Sequence, residues 1–176
     1  SITEGFVKAV PDFFEINHYI GRGISGQTTS QGLLRFRRDV LELNPEVVLI
    51  HLGINDIAEN TGPYDEGFTL GNLISMVELA KANNIKVILA SVLPASDIYW
   101  RPTVENTAEK VISLNQSIKM MAEQYGLIYL DYHTVLKNKE NGLDKEMAED
   151  GVHPTVKCYK IMATLAEEAI RKAMNP

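Results

Sequence analysis

The sequence predicts an α/β protein built on a parallel sheet, and three observations carry that prediction. Apolar runs with strand character recur at residues 47–52 (VVLIHL), 85–92 (IKVILASV) and 127–130 (LIYL). These runs are nearly continuous rather than alternating, as in parallel strands covered on both faces. Segments of helical periodicity lie between them, and strand–helix alternation is the pattern of right-handed crossovers.

Taken in order, residues 16–20 form a weaker strand candidate ending at Gly21. Leu33, Leu34, Phe36, Val40 and Leu41 mark a helix that stops near Asn44-Pro45. Strand 47–52 is bounded by Pro45 and Gly53. Leu70, Leu73, Ile74, Val77 and Ala80 share one face of a second helix, closed by Asn83-Asn84. After strand 85–92, which ends before Pro94, a third helix is marked by Ala108, Val111, Leu114, Ile118 and Ala122 and closed by Gly126. A last helix begins after Pro154 and carries Ile161, Met162, Leu165 and Ala169. Proline suits a first helical turn, where its missing N–H costs little.

Length and composition narrow the function classes. The 176 residues match one domain, 1–176, with a core of its own. Apolar residues make up 45% and charged residues 23%, ordinary globular usage. Cys158 is the single cysteine, so neither an internal disulfide nor a cysteine-based zinc site is expected. A net charge of −6 without a basic stripe argues against nucleic acid. No apolar run approaches the ~20 residues of a membrane span.

In a parallel sheet the chemistry collects in loops beyond the carboxyl ends of the strands. Residues 21–29, 53–63 and 93–102 occupy such positions, and 150–154 precede the last helix. Gly21-Arg22-Gly23-Ile24-Ser25-Gly26 matches a dinucleotide fingerprint literally. The ribose-binding acid is missing, however: Glu46 lies at the wrong end of strand 47–52, and Leu52 stands where the acid belongs. The glycines more simply allow a tight turn that presents N–H groups. Asp150 lies three residues before His153, close enough for its carboxylate to orient the imidazole. His51 reads as a core histidine, and His18 and His133 as loop or strand-end residues. No histidine pair has ligand spacing, so no metal is expected. Asn55 follows the strongest strand as a turn residue or as a hydrogen-bond donor into the cleft, and Asp56 as a cap for a short helix after it. The elbow G-x-S-x-G is absent, which leaves Ser1 as a candidate nucleophile.

Four blocks together carry a resemblance. Ser1-Ile2-Thr3-Glu4-Gly5, Gly23-Ile24-Ser25-Gly26-Gln27-Thr28, Gly53-Ile54-Asn55-Asp56 and Asp150-Gly151-Val152-His153-Pro154 stand in order across the chain. In this the sequence resembles the SGNH hydrolases, also called GDSL esterases/lipases, and most of all bacterial relatives of platelet-activating-factor acetylhydrolase catalytic subunits. The resemblance implies a flavodoxin-like three-layer α/β/α fold around a five-stranded parallel sheet. It implies Ser1 as nucleophile, His153 as general base and Asp150 as the acid that orients it. The oxyanion hole would take the N–H groups of Ser1 and Gly26 and the amide of Asn55. The implied reaction is ester hydrolysis through an acyl-serine, with no cofactor.

Two departures from the family pattern carry expectations. The Gly-Asp ahead of the serine is missing with its strand, so the sequence is expected to be part of a longer chain or to lack an upstream segment. Strands 16–20 and 47–52 would then flank a vacant position about 10 Å wide. Cys158 stands where relatives usually carry glycine, read as a packing change. Tyr64, Tyr99, Trp100 and Arg101 lie in the cleft loops and suit a sugar or a polar acyl ester. Short acyl groups follow, with O-acetyl on carbohydrate as the leading substrate and a lysophospholipid or other lipid ester as the rival. Two readings of another class remain: an N-terminal-nucleophile hydrolase, whose stacked antiparallel sheets the alternation argues against, and a non-catalytic small-molecule-binding module.

Overall fold

The structure, a computed structural model, describes residues 1–175. Two short helices open it, α1 (Ile2–Ala9) and α2 (Pro11–Asn17), followed by α3 (Thr29–Asp39). Then come β1 (Val47–Ile50), the one-turn α4 (Ile54–Ile57), α5 (Glu66–Ala82) and β2 (Lys86–Ala90). The chain continues through α6 (Thr107–Tyr125), β3 (Ile128–Leu130), α7 (Tyr132–Leu136) and α8 (Val156–Met174).

The sheet is parallel, in the order β1-β2-β3, with Val47 opposite Lys86 and Ile88 opposite Ile128. Both crossovers step the same way along the sheet, so right-handedness puts α5 and α6 on one face. They pack there side by side, and α8 packs against all three strands with α1 beside it. Val87, Ile88, Leu89 and Ala90 are all buried. Because successive strand residues point to opposite faces, β2 must be covered on both, which gives the three layers their order. The deepest core joins Ile88 and Leu89 to Leu73 and Met76 of α5, Leu114 of α6 and Met162 of α8.

The three main strands and four main helices fall where the pattern puts them, trimmed or extended at their ends. Three expectations are corrected. Residues 16–20 form no strand: α2 ends at Asn17, His18 caps it in the left-handed conformation, and Ile16 and Ile20 are 76% and 65% exposed. Proline at the start of α2 and the burial of Phe6 among Phe13, Phe14 and Tyr159 make this stretch helical. The sheet therefore has three strands among the described residues, and no strand 16–20 flanks a gap beside β1. Pro154 lies outside the last helix, which Thr155 caps by accepting from the Cys158 N–H. Cys158 is fully buried, and burial pushes its thiol up to about 11. Among the described residues no helix is long and apolar enough to cross a membrane.

Candidate active site

Ser1 is the N-cap of α1, so its hydroxyl stands at the electropositive end of a helix. His153 comes to it from the turn that leads into α8. Ser1 Oγ lies 3.1 Å from His153 Nε2, and His153 Nδ1 lies 2.7 Å from Asp150 Oδ2. The Asp150 turn is held locally: its Oδ1 accepts the N–H groups of Val152 at 2.9 Å and His153 at 2.7 Å. Gly151 makes that turn possible at φ +80°, which a side chain would strain. Burial raises the Asp150 carboxyl, but the two N–H bonds and the imidazole outweigh it and hold the group below its ordinary value. An ionised carboxylate on Nδ1 keeps that nitrogen protonated and leaves Nε2 free to accept. Hydroxyl, imidazole and carboxylate thus form one hydrogen-bonded line.

Asn55 enters from the end of β1 through Gly53. A Cβ at Gly53 would press on Val92 and Leu114, and its φ is +132°, so only glycine lets α4 start so close to the sheet. Asn55 Nδ2 donates to the Gln27 carbonyl at 2.9 Å. Asn60 donates to the Asn55 Oδ1 at 3.2 Å and to the Gly26 carbonyl at 2.9 Å, which settles the direction of the Asn55 amide. Ser1, Asn55 and the loop residues Gly23, Ile24 and Gln27 line one cavity with Leu52, Ile54 and Val92. Gly26 sits at φ +76° within that loop.

The loop is braced on both sides. Glu4 of α1 accepts the Ser25 N–H at 3.2 Å, and Arg35 of α3 donates to Gln27 Oε1 at 2.6 Å and the Arg22 carbonyl at 2.7 Å. Arg22 and Arg35 both pair with the buried Asp39, and Arg22 above all holds its carboxyl below the usual range. Asp56 does not cap α4. Its carboxylate accepts the N–H of Thr29, at the start of α3, and the Thr29 hydroxyl at 2.6 Å.

Comparison with known proteins identifies the family. Residues 1–161 match the GDSL-like Lipase/Acylhydrolase family. The chain belongs to that family. A GDSL-like lipase from Bacteroides thetaiotaomicron VPI-5482 is 50% identical, with a TM-score of 0.95 over 98% of this chain and 84% of its own. The acetyl xylan esterase AlAXEase has the same fold, with a TM-score of 0.77 at 22% identity, covering 97% of this chain and 96% of its own. An acetylxylan esterase of Xylanibacter ruminicola is 26% identical over 76% of this chain. The chain spans about a third of the length of the curated relatives it matches, 30% of this one.

In this member of the GDSL-like family the remaining cleft residues divide between the imidazole face and a second cavity. Trp100 stacks on His153, with ring centroids 5.5 Å apart, and Tyr99 meets Trp100 edge-on. Arg101 is an exposed turn residue. Tyr64 is not brought to the serine: it lines a second cavity with Asp56, Thr61 and Phe68, near Lys110. His51 also lines the Ser1 cavity, and burial pulls its imidazole down to about 4. His133 is buried in α7 rather than lying in a loop. Asn60 escaped the sequence reading, because an asparagine five residues beyond Asn55 carries no local signal.

Proposed function

We propose that this acylhydrolase cleaves short-chain carboxylic esters, O-acetyl groups on carbohydrate among them, through an acyl intermediate on Ser1. The line from Ser1 Oγ through His153 to Asp150 is the observation that carries this reading. Ser1 Oγ attacks the ester carbonyl while His153 Nε2 takes its proton. As the tetrahedral adduct collapses, the C–O bond to the alcohol breaks and His153 returns that proton to the leaving oxygen. Water then attacks the acyl-serine by the same route and releases the acid. The oxyanion is met by the Ser1 and Gly26 N–H groups and the Asn55 amide, each worth about 2.7–4 kcal/mol.

Two features support a short acyl group and a sugar alcohol. The cavity beside Ser1 takes apolar walls from Leu52, Ile54 and Val92, which suit a small acyl chain. Trp100 stacks on His153, and the outer ring of the Tyr99–Trp100 pair is exposed, as a sugar face requires. The acetylxylan esterase of Xylanibacter ruminicola adds support from its name. Kinetics on acetyl, butyryl and octanoyl esters, followed by acetylated xylan, test this. Falling kcat/KM with chain length and release of acetate from xylan are expected; a preference for octanoyl would turn the reading to lipid esters.

A further inference from the structure

We infer that Trp100 is a positioning residue for His153, holding the face of the imidazole while hydrogen bonds hold its two nitrogens. The inference rests on the reading of Ser1, His153 and Asp150 given above.

The bonds to Asp150 Oδ2 and Ser1 Oγ both run from ring nitrogens, so they fix the ring's long axis. Neither bond touches a ring face, so both are strained only once the imidazole has begun to turn about Cβ–Cγ. The His153 side chain is 38% exposed, and solvent on that part of its surface does not resist the turn. Trp100 does: its ring lies 5.5 Å from the imidazole centroid with the planes 30° apart, within the range of offset stacking. The indole is itself anchored. Ile98, two residues earlier, is buried, and the Arg101 N–H donates to the Ile98 carbonyl at 2.8 Å. Tyr99 closes the outer side edge-on at 4.8 Å.

The contact also changes during turnover. When His153 accepts the serine proton it becomes a cation, and a cation over an indole face is attracted by the ring's quadrupole. An uncharged imidazole gains less. An interaction that strengthens toward the transition state raises kcat rather than lowering KM. Trp100 therefore serves the base and not only the substrate.

The test uses ethyl acetate in a pH-stat assay, because its alcohol carries neither a ring nor a sugar that Trp100 could bind. Trp100→Leu, which keeps an apolar side chain without the π face, should lower kcat about 3- to 30-fold with KM within twofold. Trp100→Phe should recover kcat to within about threefold of the parent. Trp100 is the single tryptophan, so fluorescence reports the contact directly. His153→Gln should shift or brighten its emission. Unchanged kcat in Trp100→Leu, a loss confined to KM, or identical emission in His153→Gln would each overturn the inference. Full ester turnover in Ser1→Ala would instead overturn the underlying triad, and the fluorescence result would still stand.

Discussion

Tyr159 Oη donates to the Ile2 carbonyl at 2.9 Å, so the helix that follows His153 also holds the residue that follows Ser1. Helices α1 and α8 are thereby clamped beside the hydroxyl–imidazole pair. Gly5 lies against the same phenol, and a Cβ there would collide with it. Tyr159→Phe keeps the ring stacked on Phe6 but leaves a carbonyl without its donor. It should cost about 1–3 kcal/mol of stability and lower kcat several-fold, measured by thermal melting and ester kinetics. Unchanged values in both would show that the clamp does nothing.

Asn55→Ala should lower kcat by about 10²–10³ with little change in KM, because its amide binds charge that develops only in the transition state. Asn60→Ala should lower kcat less, since it removes the bonds that direct the Asn55 amide and hold the Gly26 carbonyl but leaves the Asn55 amide itself in place. A rise in KM alone for Asn55→Ala would make that residue a ground-state binder instead.

Asp56→Ala should act on the fold. It strips the acceptor from the Thr29 N–H and hydroxyl, both buried, and leaves Asn72 as the remaining partner of that hydroxyl. The expected cost is about 3 kcal/mol, or a fall in Tm of roughly 6–12 °C for a domain of this size. A melting temperature within two or three degrees of the parent would refute this role.

His51 makes stability depend on pH. Burial pulls its folded value from 6.5 to about 4, so the unfolded chain binds a proton that the folded one refuses. Stability is therefore full above about pH 6.5, declines as pH falls toward 4, and levels off below. The full shift corresponds to about 3 kcal/mol, a ceiling because the ring borders an open cavity. Denaturant titrations between pH 7 and 4 should show a shallower decline in His51→Gln than in the parent. Equal slopes would mean that other groups carry the acid sensitivity.

Much of this was legible in the sequence, and the limits are physical. Strands at 47–52, 85–92 and 127–130 declare themselves because their residues run nearly continuously apolar, as burial of the central strand on both faces requires. Asp150 and His153 are legible because the turn joining them is local. Residues 16–20 misled because Ile16, Tyr19 and Ile20 have strand propensity, whereas a strand also needs an edge to pair with. There Phe13 and Phe14 instead join the cluster around Phe6, and the helix follows the burial. Asp56 misled differently: an aspartate beside a helix start reads as its cap, yet this carboxylate serves a helix 27 residues upstream. Asn60, Tyr159 and the stacking of Trp100 on His153 are contacts between distant segments, and no local pattern encodes them.

Covalent labelling decides whether Ser1 is the nucleophile. The protein is treated with diethyl 4-nitrophenyl phosphate, digested and analysed by mass spectrometry beside Ser1→Ala and His153→Ala. One diethylphosphoryl group should appear on Ser1, its formation matching the loss of esterase activity. It should be absent in Ser1→Ala and greatly slowed in His153→Ala. Labelling of Ser25 or another serine, or esterase turnover surviving in Ser1→Ala, would contradict the account.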